Sequence, residues 1–358
     1  MQDVALVLAL ARPEIRALSP YAHARWAPLL TRLHANELPW PDNPGAGAPQ
    51  NRYPEPQPEE LLHALAGYFG VIPQQVLATH GSDEAIDLIT RVFCRAGRDA
   101  VAITPPTFGM FAVAAHVQGA AVVEVPLCAD HDFALDTAAV KAAISHNGNI
   151  RIVWLCSPNN PSGAHLAEHS IVELIAAARG RALVVVDEAY AEFSSRPSLS
   201  CLIAQNPHLA ILRTLSKAHG LAAARIGAVL AHPQVIGLLR KIILPYTLSR
   251  HSIECALAAL APAALEVTRS RVHELLTARD QLASELRASP EIELVWPSDA
   301  NFLLLRCRPE SRLFERWVEA GLLVRDFRRA PGLENCLRVT VGTAEQNQRL
   351  RAVLGSRP

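Results

Sequence analysis

Six short runs of aliphatic and β-branched residues recur between residues 100 and 231: AVAIT (100–104), AAVVEV (120–125), IRIVWLC (150–156), ALVVVD (182–187), LAILRT (209–214) and IGAVLA (226–231). Several are apolar at every position, as strands covered on both faces are. Amphipathic stretches such as LAEHSIVELIAAARG lie between most of them. Strands alternating with helices predict an α/β fold whose mainly parallel sheet is sandwiched between helices.

The texture changes after about residue 245. Residues 250–288 read as a long, Ala- and Leu-rich helical region with a break at Pro262, followed by IELVW, NFLLLRC, a helix over 311–320 and CLRVTVG. This predicts a smaller α+β unit. The expected division is a large domain over 36–248 and a small domain made of 1–35 and 249–358. Helical periodicity also marks 59–69 and 82–96, and the Pro- and Gly-rich stretch 39–58 predicts an irregular loop. A chain of 358 residues suits about two domains.

With 34 basic and 34 acidic residues, the net charge is zero. That removes any bulk electrostatic case for nucleic acid or an anionic membrane and leaves room for a local anion site. Half the residues are hydrophobic and 19% charged, which excludes a disordered or fibrous chain. The seven cysteines (Cys94, Cys128, Cys156, Cys201, Cys255, Cys307 and Cys336) are odd in number and form no CxxC pair. They predict reduced thiols and a cytoplasmic protein. The apolar run Val4–Ala11 follows Asp3 and no basic residue, so it predicts a helix packed on the body rather than a secretion signal.

In open α/β sheets ligands bind beyond the carboxyl ends of the strands, and chemistry-bearing residues cluster there. Lys217 follows LAILRT and is one of only three lysines, with Lys141 and Lys241. A partly desolvated lysine has a lowered pKa and can attack a carbonyl; the plainer reading is a strand-end lysine reaching solvent. Asp187 and Tyr190 follow ALVVV, where a buried carboxylate needs a partner, unless it only caps a helix. The turn Ser157–Gly163 (SPNNPSG) can hold an Asn amide rigidly, or be a turn and nothing else. His80-Gly81-Ser82-Asp83-Glu84 opens a helix, as an ordinary N-cap or as an anion cradle. Each feature alone has a plain explanation. Together they meet the needs of pyridoxal 5'-phosphate: a lysine for a Schiff base, a carboxylate for the ring nitrogen, donors for the phenolate oxygen and a phosphate cradle.

The blocks NRYPEPQP (51–58), HGSDEAIDL (80–88), PPTFGMF (105–111), CSPNNPSG (156–163), VDEAYAEF (186–193) and LRTLSKAHGLAAARIG (212–227), in this order and spacing, carry a resemblance. The chain resembles the fold-type I aminotransferases, and more narrowly the histidinol-phosphate aminotransferase family, from Leu33 to Gly342. The resemblance implies Lys217 as the Schiff-base lysine and Asp187 as the partner of the pyridinium nitrogen. It implies Asn160 and Tyr190 as donors to the phenolate oxygen, and Phe108 stacked on the ring. Ser216, Arg225 and the backbone around Ser82 and Asp83 would hold the phosphate, and Tyr53 would reach the cofactor phosphate of the other subunit of a homodimer. Tyr21, Arg325 and Arg338 would grip the substrate anion. The implied reaction moves an amino group from L-glutamate to imidazole-acetol phosphate, giving 2-oxoglutarate and L-histidinol phosphate, in histidine biosynthesis.

The sequence departs from the family pattern at Phe108, where tyrosine is common, at His219, where Phe or Tyr is usual, and at Ala223-Ala224 before Arg225. Related readings are an aminotransferase for aromatic amino acids, a phosphate-handling lyase or decarboxylase, and a cofactor-binding transcription regulator. The last would need a DNA-binding domain, for which only about 30 residues precede the first family block. His165, Glu168 and His169 match the HxxEH zinc pattern, a spacing that 14 histidines produce readily by chance. They predict two partly exposed histidines on a helix.

Overall fold

Successive residues of the central strands point into two separate cores, and this alternation organises the molecule. The computed structural model describes residues 2–26, 29–41 and 50–355. Seven strands build the larger sheet: β1 (Val76–His80), β2 (Ala100–Ile103), β3 (Ala121–Glu124), β4 (Ile150–Cys156), β5 (Leu183–Asp187), β6 (Leu209–Thr214) and β7 (Ile226–Ala231). Their spatial order is β1-β7-β6-β5-β4-β2-β3. Neighbours from β3 to β6 are parallel, and β7 is antiparallel to both β6 and β1.

Val153, Leu155, Val184, Val186, Leu209 and Ile211 feed the core on one face. Ile152, Trp154, Leu183, Val185, Ala210 and Leu212 feed the other. Each Val, Leu or Ile side chain among them, taken fully out of water, contributes about 1.5–3 kcal/mol, so both helical layers are required. On the second face Phe111 stacks on Trp154, with ring centres 4.9 Å apart and planes 6° from parallel. The sequence reading groups residues 1–35 with the smaller unit. Val7, Leu10 and Ala11, from the helix Gln2–Leu10 and just after it, pack instead in this second-face core.

Four antiparallel strands form the smaller sheet: β8 (Ile292–Val295), β9 (Phe302–Cys307), β10 (Arg325–Asp326) and β11 (Cys336–Thr340), in the order β10-β11-β9-β8. Leu282 and Leu286 of the helix Pro262–Arg287 and Trp317 of Leu313–Glu319 back one face. The helical region does break at Pro262, which takes the first position of its helix, where a missing N–H is harmless. From the other face Leu304 and Trp296 join the core of the large sheet, and Phe302 meets Tyr190 edge-on at 5.2 Å. Of the loop expected over 39–58, residues 42–49 lie outside the described residues. Among the described residues no helix is long and apolar enough to cross a membrane.

Candidate active site

Because β2, β4, β5 and β6 run parallel, their carboxyl ends share one edge of the sheet. β7 runs the other way, so its start lies at that same edge, and so does the end of β1. Residues far apart in sequence therefore converge: Phe108 after β2, Asn160 after β4, Asp187 and Tyr190 at β5, Ser216 and Lys217 after β6, Arg225 before β7, and Ser82 and Asp83 after β1. Arg325 and Arg338, paired across β10 and β11, close the far side. These eleven residues line one cavity of about 670 Å³. Tyr53 and Tyr21, the other two expected site residues, are exposed and lie elsewhere on this chain, Tyr21 in a separate cavity with Trp26, Glu55 and Arg240.

Lys217 reaches over the Tyr190 ring, with Nζ 5.5 Å from its centre. Burial, and then the Arg338 charge, push the Lys217 amine below the ordinary lysine range, while Asp187 and Asp83 oppose them. Asp187, 2% exposed, accepts the Ala189 N–H at 3.0 Å. Burial carries its carboxyl up to about 7, with the Ala189 bond and Lys217 acting against it. Burial also raises the Tyr190 phenol. Its neighbour Glu188 faces the other way: Arg213 at 3.2 Å and the Leu199 N–H at 2.8 Å hold that carboxylate. The two adjacent acids thus divide into one available to the cavity and one built into the core.

The turn after β4 divides its asparagines in the same manner. Asn159 is buried, donates to the Pro106 carbonyl at 2.9 Å and to Ser162 Oγ at 2.8 Å, and accepts from Thr107 at 3.0 Å. Asn160 is thereby left facing the cavity, its Nδ2 3.5 Å from the Tyr190 hydroxyl and its Oδ1 accepting from Arg338. The Arg338 guanidinium lies 5.0 Å from the Phe302 ring centre and 5.7 Å from that of Phe327. Burial lowers its pKa, and its Nε is buried without a partner among the described residues.

At the other end, the helix Gly81–Phe93 starts one residue before the 82 expected from periodicity, so neither Ser82 nor Asp83 is its cap. His80 takes the cap position; its side chain makes no cap bond, and its own N–H donates to Glu84 Oε2 at 2.6 Å. Arg225, at φ +55°, donates to Asp83 at 3.0 Å and lies 3.5 Å from Ser216 Oγ. Backbone contact is close here. A Cβ on Gly81 (φ +74°) would meet Arg225 at 2.4 Å, and one on Gly227 would lie 2.5 Å from the Gly81 carbonyl carbon. Gly227→Ala is expected to destabilise the protein by about 2–3 kcal/mol, the cost of overpacking against backbone, as a lower urea midpoint; an unchanged midpoint would show that β7 and the helix start part freely.

Sequence reasoning passed over Thr107, Cys156, Thr214, Ala222 and Phe327, which also line the cavity. Thr214 carried a signal: it ends β6, and its Oγ1 accepts the Ser216 N–H at 3.1 Å, ordering the residues before Lys217. Phe327 became visible only when β10 paired with β11. His219, beside Lys217, bonds the Tyr68 hydroxyl at 3.1 Å and meets that ring edge-on. Of the HxxEH residues, His165 is half-buried against the Leu166 carbonyl and His169 is exposed at the start of the helix Glu168–Ala178. No group of three His, Cys, Asp or Glu suited to a metal ion occurs among the described residues.

Residues 33–354 match the family model for aminotransferase class I and II. The chain is 44% identical to a histidinol-phosphate aminotransferase from Stenotrophomonas maltophilia, over 99% of this chain and 98% of that one. It is 45% identical to one from Xylella fastidiosa, over 97% and 96%. Among solved structures, the histidinol-phosphate aminotransferase of Sinorhizobium meliloti in complex with pyridoxal-5'-phosphate superposes with a TM-score of 0.75, at 26% identity over 85% of this chain and 82% of that one.

Proposed function

The chain belongs to the aminotransferase class I and II family, and from that premise we propose a reaction between L-glutamate and imidazole-acetol phosphate that yields 2-oxoglutarate and L-histidinol phosphate, with pyridoxal 5'-phosphate as cofactor. It is an aminotransferase, and its relatives that match end to end carry the histidinol-phosphate name. The observation that carries the site assignment is the convergence, in one cavity, of a desolvated lysine, a buried acid without an arginine partner, and arginines at both ends.

The donor set fits the cofactor. Arg225, the Ser216 hydroxyl and the first turn of Gly81–Phe93 offer donors to a phosphate, and the missing Gly81 side chain leaves room for the Arg225 guanidinium beside that turn. Asp187 is a buried carboxylate that a protonated ring nitrogen would complete. The Asn160 amide and Tyr190 hydroxyl offer hydrogen bonds to a phenolate oxygen, and Phe108 offers a ring face. When bound, the cofactor supplies an electron sink for the electron pair at the substrate Cα.

The chain's own residues do the rest. Lys217 Nζ, neutral more readily than an ordinary lysine because it is desolvated, takes the proton from the substrate Cα and delivers it two atoms away, across the bond to nitrogen, as the 1,3 shift of amino transfer requires. Arg338 and Arg325 hold the substrate anion, which is a phosphate in histidinol phosphate and a carboxylate in glutamate. One arginine pair thereby serves both halves of the exchange. Asn160 links the two ends, since it touches both Tyr190 and Arg338.

A homodimer belongs to the same reading. Leu29, Leu33, Trp40, Tyr53 and Leu244 are large apolar side chains at least 49% exposed, four of them in the N-terminal third, and a second copy would cover them. A cytoplasmic setting is consistent with the seven cysteines, all free.

The test is spectroscopic. Protein supplied with pyridoxal 5'-phosphate is expected to show a visible absorption band that histidinol phosphate removes and 2-oxoglutarate restores. A band that answers glutamate but ignores histidinol phosphate would move the activity to another aminotransferase. No band at all would overturn the cofactor.

A further inference from the structure

Glu37 is a carboxylate at which Arg32, Arg52 and the Tyr53 backbone meet. Its side chain is 2% exposed. Oε1 accepts from Arg32 at 3.0 Å and from the Tyr53 N–H at 2.7 Å, and Oε2 accepts from Arg52 at 2.9 Å. Arg32 in turn donates to the Tyr53 carbonyl at 3.2 Å, and its guanidinium lies 5.0 Å from the Trp26 ring centre. Both polar groups of the Tyr53 backbone are therefore held by one ion pair. Arg52 also donates to the Arg32 carbonyl at 3.3 Å, and Asn51 to the Leu38 carbonyl at 2.9 Å, so the segments are bonded on either side of the pair. Burial works to raise the Glu37 carboxyl, but the Arg52 and Tyr53 bonds and the two arginine charges outweigh it and keep it below the usual glutamate range.

The consequence falls on the side chain. Tyr53 is 49% exposed and its ring stacks on Tyr246 at 4.4 Å and 21°, so a held backbone carries a half-exposed side chain. A buried ion pair is a costly way to hold a surface loop, because removing either partner leaves the other charge desolvated. Such expense is reasonable where the position of one exposed side chain matters.

We propose that the Glu37–Arg32 pair is a positioning device that aims the Tyr53 hydroxyl at the cofactor phosphate held by a second copy of this chain. This rests on the reading of Tyr53 as a residue that reaches across the dimer. Glu37 and Arg32 touch neither substrate nor cofactor in this arrangement; they act through the Tyr53 backbone.

The experiment is a double-mutant cycle on the full-length dimer, reading the dissociation constant of pyridoxal 5'-phosphate by fluorescence, well below the melting temperature. Tyr53→Phe should raise that constant about tenfold, the loss of one hydrogen bond to a charged group. Glu37→Gln should raise it by a similar factor, and the double variant by no more than either alone. Arg32→Lys, which keeps the charge but loses the fork, should fall between Glu37→Gln and the wild type. Melting temperature and dimer content, measured alongside, register a purely structural role. If Glu37→Gln lowers the melting temperature yet leaves the constant unchanged, or if the two effects add, the positioning role is wrong while Tyr53 keeps its place. If Tyr53→Phe itself has no effect, the cross-dimer reading falls and this proposal with it.

Discussion

Lys217→Ala is expected to abolish amino transfer, lowering turnover by at least about 10⁴-fold, because in the proposed reaction one side chain serves as both nucleophile and proton carrier. The fold should survive. Lys217 makes no ion pair or hydrogen bond among the described residues, and its Nζ lies 5.5 Å from the centre of the Tyr190 ring. Its removal relieves a desolvated cation that faces the Arg338 charge, so the melting temperature should hold or rise slightly. Circular dichroism and a single-turnover assay check the two halves of this statement. A primary amine added in solution should restore part of the proton-transfer rate. Near-normal turnover by the variant would sink the mechanism.

Asp187→Asn should move activity and stability in opposite directions. Burial carries the Asp187 carboxyl from 3.8 up to about 7, so folding favours its neutral form. The stabilisation this acid contributes is fully present below about pH 4 and is lost as pH rises through about 7. An amide there has no charge to desolvate and can still accept the Ala189 N–H. Without added cofactor, the variant should therefore match the wild type near pH 4 and exceed it above pH 7, by up to about 4 kcal/mol. With cofactor, the carboxylate's opposite charge is missing, and turnover should fall about 10²–10³-fold, as when one electrostatic stabiliser is lost. Urea denaturation at pH 4.5 and pH 8 decides the first part. A variant less stable than wild type at pH 8 would show that the native carboxylate is already satisfied within the protein. Stability is given up here for function, as is usual where a charge is buried to meet a ligand.

Much of this could be read along the chain, for identifiable reasons. The buried strands announce themselves because apolar residues on both faces leave few alternatives, and the residue after each strand end is fixed by chain connectivity. Lys217 and Asp187 drew notice on that basis, the scarcity of lysine making Lys217 conspicuous, whereas Asn160 and Arg225 were singled out only by the family resemblance. Other features were not legible. Asn159 and Asn160 are identical in type and adjacent, and only the bonds to Pro106, Thr107 and Ser162 reveal which one is structural. Asp187 and Glu188 are likewise separated only by Arg213. The N-terminal helix packs on the large sheet rather than with the small unit because Val7 and Leu10 find their apolar partners there, a matter that no local pattern encodes.

The sequence by itself therefore determined the fold class and the residues offered at each strand end, because periodicity and chain order are properties of a single line of residues. The tertiary structure alone decided which side chains turn into the cavity, that β7 runs antiparallel so that Arg225 meets Ser216, and that one buried ion pair at Glu37 holds the backbone of Tyr53. The physical reason is that desolvation, charge pairing and close backbone approach depend on what lies opposite in space, and those neighbours are set only when distant segments pack together.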